Sequence, residues 1–244
     1  KVSAFCLLVK TTKIFILTKN YFITFEGIDG SGKSTQAKVL VDKLKSLKLE
    51  TLFLREPGGT TISEEIRSVL LNNRKDEMSS RSEALLMCAS RAQLTKDIIN
   101  PALKGGKWIV ADRYADSTLA YQGGGRGINL DWLIKLNQFA TYGLEPDLTF
   151  YIDIDPEVGF QRRKDLSSDR IESAGLDFQK DIRQKYLEIV DNFDERCVTI
   201  DGNLGVDEIS DYIWKVTKSR TFNENIYYEK KNFFYNFFFI CCNC

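Results

Sequence analysis

Residues 27–34, GIDGSGKS, satisfy the spacing G-x-x-x-x-G-K-[ST], which has a direct use in phosphate chemistry. Its glycines let backbone N–H groups turn inward around phosphate oxygens, and a helix starting there adds the positive end of its dipole. Lys33 then reaches the β- and γ-phosphates, and the Ser34 hydroxyl can coordinate Mg²⁺. The nucleotide cradle runs from Gly27 through Ile28, Asp29, Gly30, Ser31, Gly32, Lys33 and Ser34 to Thr35. A glycine-rich turn that merely caps a helix is the alternative. The complete pattern, lying between a strand and a helix, favours the phosphate site.

A second pair, Asp112-Arg113, closes the apolar run WIVAD at 108–112. The aspartate can hold the hydration shell of a Mg²⁺ ion, and the arginine can grip the phosphate of an acceptor. The alternative is a surface pair at a strand end. No guanine-reading N-K-x-D occurs, and WIVAD is followed by Arg113 rather than by the catalytic glutamate of a Walker B strand, so switch GTPases and motor or transporter ATPases fit poorly. The chain has no histidine, which removes histidine acid–base catalysis, Ser-His-Asp triads and histidine metal sites. A phosphate acceptor needs none of them. Its second pKa is about 6, so at neutral pH it is already mostly the dianionic nucleophile.

These residues need a scaffold that brings loops together. Short β-rich runs at 21–26, 51–55, 108–112, 148–153 and 197–201 alternate with helical spacing at 32–47, 82–103, 130–142, 156–194 and 206–218. Strands alternating with helices predict an α/β chain of the P-loop NTPase type, with a five-stranded parallel sheet flanked by helices and a short lid. Ligands then collect at the carboxyl ends of the strands.

Length and balance agree with one such domain: 244 residues, with 34 basic and 34 acidic side chains. That balance favours neither nucleic acid nor a membrane surface as partner. The cysteines form no pair of C-x-x-C motifs, and scattered thiols suit a reducing compartment, so a cytoplasmic location is expected. Residues 1–20, lysine-bearing and acid-free among apolar residues, read as an extra segment. Import into an organelle through it is the other reading, although neither a cleavage-site pattern nor an arginine-rich face is visible. The domain is expected to span 21–220, and the Phe-, Tyr- and Asn-rich stretch 221–244 reads as an added tail.

The runs FEGIDGSGKSTQ (25–36), REPGGT (55–60), DRYADSTLAYQGGGR (112–126), PDLTFYIDIDP (146–156) and DRIE (169–172) resemble, in order, the motifs of the thymidylate kinase family. The resemblance covers roughly residues 21–218. It implies phosphorylation of dTMP to dTDP with ATP as co-substrate and Mg²⁺ as cofactor, in dTTP supply, by a homodimer. A nucleotide kinase with another acceptor, or a non-catalytic homologue, remains the alternative; Lys33, Asp112 and Arg113, whose loss would mark the latter, are all present.

The resemblance also implies roles. Asp29, on its own either a turn former or a misplaced acid beside phosphate, would bond the 3′-hydroxyl of dTMP. Arg55, Pro57 and Gly58 would shape the acceptor pocket, and Arg113 would bind its phosphate. Arg91, otherwise a solvated helix charge, would reach the thymine edge. Ser117, Tyr121 and Gln122 would contact sugar and base, Tyr121 being otherwise a core residue. Met87 stands where the family commonly has an aromatic residue stacked on thymine; a thioether can still pack against a base face.

The phosphate loop itself carries no arginine, yet a transferring phosphoryl group calls for one. The cation-rich stretch 161–172 follows the strand LTFYID and a turn, and reads as a lid; a solvated helix end is the alternative. Arg163 and Arg170 are the expected catalytic cations, with Arg162 in reserve. Bacterial-type members of the family, which pair an arginine-free loop with lid arginines, imply the same.

Overall fold

The computed structural model describes residues 19–73, 75–165 and 169–222. Residues 1–18, 223–244 and 166–168, which include most of both expected extensions and part of the expected lid, lie outside these. Residues 19–215 form one compact unit, and residues 216–222 are the described part of a second.

Five parallel strands form the sheet in the order β2-β3-β1-β4-β5. They are β1 Phe22–Glu26, β2 Thr51–Arg55, β3 Trp108–Asp112, β4 Leu148–Asp153 and β5 Cys197–Asp201. β1 lies between β3 and β4, with Phe25 opposite Asp112 on one side and Phe150 on the other. Every residue of β1 and β3 is buried, as a central parallel strand covered on both faces requires. One cover packs Leu94, Ile99 and Tyr114 against Phe22 and Ile109. The other gathers Tyr121, Tyr151, Phe178, Ile182 and Tyr186. The chain leaves β1 toward β2 and β3 on one side and later returns to β4 on the other. The switch point therefore lies at the carboxyl ends of β1 and its neighbours.

The helices are α1 Lys33–Ser46, α2 Thr61–Leu71, α3 Ser80–Leu94, α4 Asn100–Lys104, α5 Ala115–Thr118, α6 Leu130–Ala140, α7 Pro156–Arg163, α8 Leu176–Asn192 and α9 Val206–Thr221. α3 runs into α4 through a wider π turn at Thr95–Ile99. Pro101 has no N–H to give to the turn before it, and the turn widens there. The expected stretch 156–194 holds two helices rather than one: the first ends at Arg163 and the second begins after Gly175, whose φ is 95°. α2 was not expected; Thr60 caps it by accepting from the Ser63 N–H at 3.1 Å.

A second π segment, Leu119–Gly125, carries the glycine run of the DRY motif. α8 passes close over it. A Cβ added to Gly125 would lie 2.3 Å from the Phe178 ring, so only glycine lets the two segments meet. This contact presents Tyr121 and Gln122 to the cleft described next.

Candidate active site

The phosphate loop connects β1 to α1. Gly32 takes the position before the helix at φ 93°, which suits glycine, and a Cβ there would meet nothing within 4 Å. The space before the helix end is left for a ligand. Lys33, although buried, donates to the Ile28 carbonyl at 3.1 Å and to Asp29 Oδ1 at 3.4 Å. Burial, reinforced by the neighbouring Arg113, lowers its pKa. Thr35 follows on the exposed side of the first turn.

The Ser34 hydroxyl donates to Asp112 Oδ2, while Asp112 Oδ1 is buried without a hydrogen-bond partner. Among the described residues no three Cys, Asp or Glu side chains gather to hold a metal. A hydroxyl beside an orphaned carboxylate oxygen fits Mg²⁺, which keeps most of its waters and takes the rest of its shell from phosphate.

Arg113 follows β3 with a backbone φ of 73°, a left-handed conformation uncommon for a residue with a side chain. That turn aims its guanidinium back under the phosphate loop. Nη1 donates to the Gly27 carbonyl at 3.0 Å, Ser117 Oγ at 3.2 Å and Tyr186 Oη at 3.3 Å. Nη2 donates to Asp29 Oδ1 at 2.6 Å and Tyr121 Oη at 2.7 Å. The Tyr121 hydroxyl in turn donates to Asp29 Oδ2 at 3.0 Å. Burial works against charge on Asp29, but Arg113 and then Lys33 outweigh it and hold the carboxyl well below the usual range.

Beneath Arg113 lies a carboxylate that was not expected in the site. Glu26 accepts from the Tyr114 N–H at 2.8 Å, Ser117 Oγ at 2.6 Å and the Tyr186 hydroxyl at 2.8 Å. It thus sets the two hydroxyls on which Arg113 rests. Full burial, with Asp116 next to it, pushes its pKa up to about 7.

Arg91 is no solvated helix charge; it is 2% exposed. Nε donates to Glu56 at 2.8 Å, Nη1 to Thr118 at 2.7 Å and Asn137 at 2.9 Å, and Nη2 to the Tyr114 carbonyl at 2.9 Å. All three guanidinium nitrogens are therefore engaged, and Arg91 braces the cleft wall. Met87 lies half-buried beside the second core cluster. Gln122 is buried, its Nε2 donating to Glu83 Oε1 at 3.0 Å.

The lid arginines separate. Arg163 pairs with Glu172 and lines a small recess with Ile28 and Asp29. Arg162 reaches the Gly202 carbonyl at 3.0 Å and that of Gly30, in the phosphate loop, at 3.4 Å. Arg170 departs from expectation. Its Nε donates to the Leu70 carbonyl at 2.8 Å and its Nη2 pairs with Glu83 at 2.7 Å, away from the phosphate loop. A buried carboxylate holds this arginine in the wall. On the other side of the cleft, Arg55 pairs with Glu64 at 3.1 Å. Arg67 donates to the Pro57 carbonyl at 2.9 Å, just before Gly58. Arg67 was not expected, because only the folding of α2 over REPGGT brings it in; the Thr60 cap signal marks that helix in the sequence.

One cleft, open to solvent and about 810 Å³ in empty volume, collects these groups. Asp29, Arg55, Pro57, Met87, Arg91, Arg113, Ser117, Tyr121 and Gln122 all line it, together with Lys33, Ser34 and Asp112. A phosphate loop and an arginine cluster face the same space. Two polyanions can therefore be brought together there. Fold and site define a P-loop phosphotransferase of the nucleotide kinase class.

Residues 25–213 match the family model described as thymidylate kinase. The chain is similar to the thymidylate kinase of Kosmotoga olearia, 45% identical over 195 residues, covering 80% of this chain and 93% of that protein. It is also similar to those of Thermosipho africanus, 47% over 191 residues with 77% and 92% covered, and Pelobacter propionicus, 46% over 200 residues with 79% and 91% covered. The chain belongs to the thymidylate kinase family.

Proposed function

We propose that this chain transfers the γ-phosphoryl group of ATP to dTMP, giving ADP and dTDP for dTTP supply. The carrying observation is Arg113, held in the cleft shared with the phosphate loop. An oxygen of the dTMP phosphate forms the new bond to the γ-phosphorus as the bridge to the β-phosphate breaks and the electron pair leaves with ADP. Lys33, released from Ile28 and Asp29, follows the β- and γ-phosphates, with the loop amides from Gly27 to Thr35 around them. Arg113, with Arg55 and Arg67 nearby, fixes the acceptor phosphate. Positioning and charge carry the catalysis. Ser34 and Asp112 would hold a Mg²⁺ ion, which neutralises phosphate charge when bound.

Arg163 is the best-placed lid cation, and Arg162 supports the donor side. Asp29 faces the sugar, oriented by Arg113 and Tyr121, and accepts from the 3′-hydroxyl. Ser117, Tyr121 and Pro57 complete the pocket. Met87 packs on the base, Gln122 reads its edge, and Arg91 braces this wall.

The catalytic domain spans 21–220, with 1–20 and 221–244 as extensions; the compactness of 19–215 supports all of this span but its last five residues. A homodimer is supported by apolar residues left outward on the packed helices α3 and α6: Leu85, Trp132 and Phe139, the last 83% exposed. No helix among the described residues is long and apolar enough to cross a membrane, which is consistent with a cytoplasmic enzyme. A panel of dTMP, dUMP, dCMP and dAMP in an ADP-release assay tests the reading. dTMP gives the highest kcat/KM; preference for any other acceptor overturns the assignment.

A further inference from the structure

The wall that holds Gln122 contains a charge arrangement the phosphoryl transfer itself does not use. Glu83 on α3 is fully buried, yet three side chains converge on its carboxylate. Gln122 Nε2 and Arg126 Nε reach Oε1 at 3.0 and 3.1 Å; Arg126 Nη2 and Arg170 Nη2 reach Oε2 at 3.2 and 2.7 Å. Arg126 ends the glycine run that also carries Gln122, and Arg170 comes from the far end of the cation-rich stretch 161–172, its own N–H bonded to the Leu71 carbonyl at 3.0 Å.

An ionised carboxylate has no proton to donate, so whatever meets it must be a donor. An amide side chain has one donor end and one acceptor end of nearly equal shape, and its orientation follows its partners. Burial acts against charge on Glu83, but the hydrogen bonds from Arg126 and Gln122 outweigh it and lower its pKa. Glu83 therefore admits only the NH₂ end of Gln122. The carbonyl end, Oε1, is left for the cleft that Gln122 lines.

We infer that Glu83 is a specificity-positioning residue: by fixing the Gln122 amide, it makes the base wall accept nucleobases with a ring N–H, such as thymine or uracil, and reject cytosine. This rests on the proposed reading that Gln122 faces the base. The imide N3–H of thymine meets Oε1 as a donor. Cytosine presents a bare N3 lone pair at the same place, so two acceptors oppose each other in a buried wall. A buried polar mismatch of this kind discriminates far more strongly than a change in size. Arg126 and Arg170 keep the reader set by keeping Glu83 charged, which ties the end of the stretch 161–172 to base choice.

The test compares dTMP with 5-methyl-dCMP, which keeps the methyl group and differs only on the pairing edge. Glu83→Gln offers Gln122 a partner with both a donor and an acceptor, so the amide can turn over. In this variant kcat/KM for 5-methyl-dCMP should rise several-fold while that for dTMP falls, and their ratio should drop at least tenfold. A merely structural role lowers both together and leaves the ratio in place, and that result overturns the inference. Gln122→Leu is the control. If it collapses the ratio while Glu83→Gln does not, Gln122 reads the base but Glu83 does not orient it. If Gln122→Leu keeps the ratio, the base-reading role of Gln122 fails, and the inference with it. Should Glu83→Gln not fold, the triple variant Glu83→Gln, Arg126→Gln, Arg170→Gln leaves no arginine without its carboxylate, and the same comparison decides.

Discussion

Replacing Glu26 by glutamine removes the titration of one buried carboxyl while keeping an acceptor for the Tyr114 N–H. In the folded chain Glu26 holds its proton up to about 7, against an ordinary 4.5. Between those values the folded state binds more protons than the unfolded one, so stability falls as pH rises. The contribution is fully present below 4.5 and lost as pH rises through about 7. At about 1.4 kcal/mol for each pKa unit, the whole change amounts to about 3 kcal/mol. Asp29 works in the opposite sense: its depressed pKa contributes stability that is lost only as pH falls below its ordinary 3.8, outside this window. Urea unfolding of both proteins at pH 5, 6, 7 and 8 isolates the effect. The stability of the natural chain minus that of Glu26→Gln should fall by about 2–3 kcal/mol from pH 5 to pH 8. A difference that stays level or climbs over that range refutes the reasoning, because the buried carboxyl would then titrate at its ordinary value.

Lys33→Ala should lower kcat/KM on the order of 10²-fold or more in a steady-state ADP-release assay, since it removes a charge from the transferring phosphates. Arg163→Ala should lower kcat by about 10²-fold or more with little change in KM for dTMP, whereas Arg170→Ala, which disturbs the base wall, should act mainly on KM; the same assay with dTMP varied separates them. Met87→Phe should lower KM for dTMP, because aromatic stacking on a base is worth about 1–3 kcal/mol and a thioether contact less; dTMP titrations of the two proteins check this.

The strands were readable because each is a short apolar run bounded by turn residues. Four of the five, β2 to β5, have the expected bounds, and β1 begins one residue later. The phosphate loop was readable because its residues are contiguous. α2 was harder to see, since it buries little beyond Ser63 and Leu70 and follows a turn-rich motif. Glu26 and Glu83 escaped notice for a different reason. Their partners lie far along the chain, as with Ser117 and Tyr186 for Glu26, and only folding brings them together. The partner of Arg170 was not legible either: its neighbours in sequence suggest phosphate, and the buried Glu83 that it meets lies far along the chain.

Most cations around the cleft have an internal carboxylate at rest, Arg67 on the Pro57 carbonyl being an exception. Lys33 and Arg113 share Asp29, Arg91 has Glu56, Arg55 has Glu64, Arg163 has Glu172, and Arg170 has Glu83. With these pairs formed the cleft is close to self-neutralised, and its field at the mouth is weak. Free phosphate or sulfate, offering one or two contacts, cannot displace these partners, while a nucleotide touching many groups at once can. Resting neutrality keeps common cellular anions out and leaves nucleotide capture less sensitive to ionic strength than bare cations would make it.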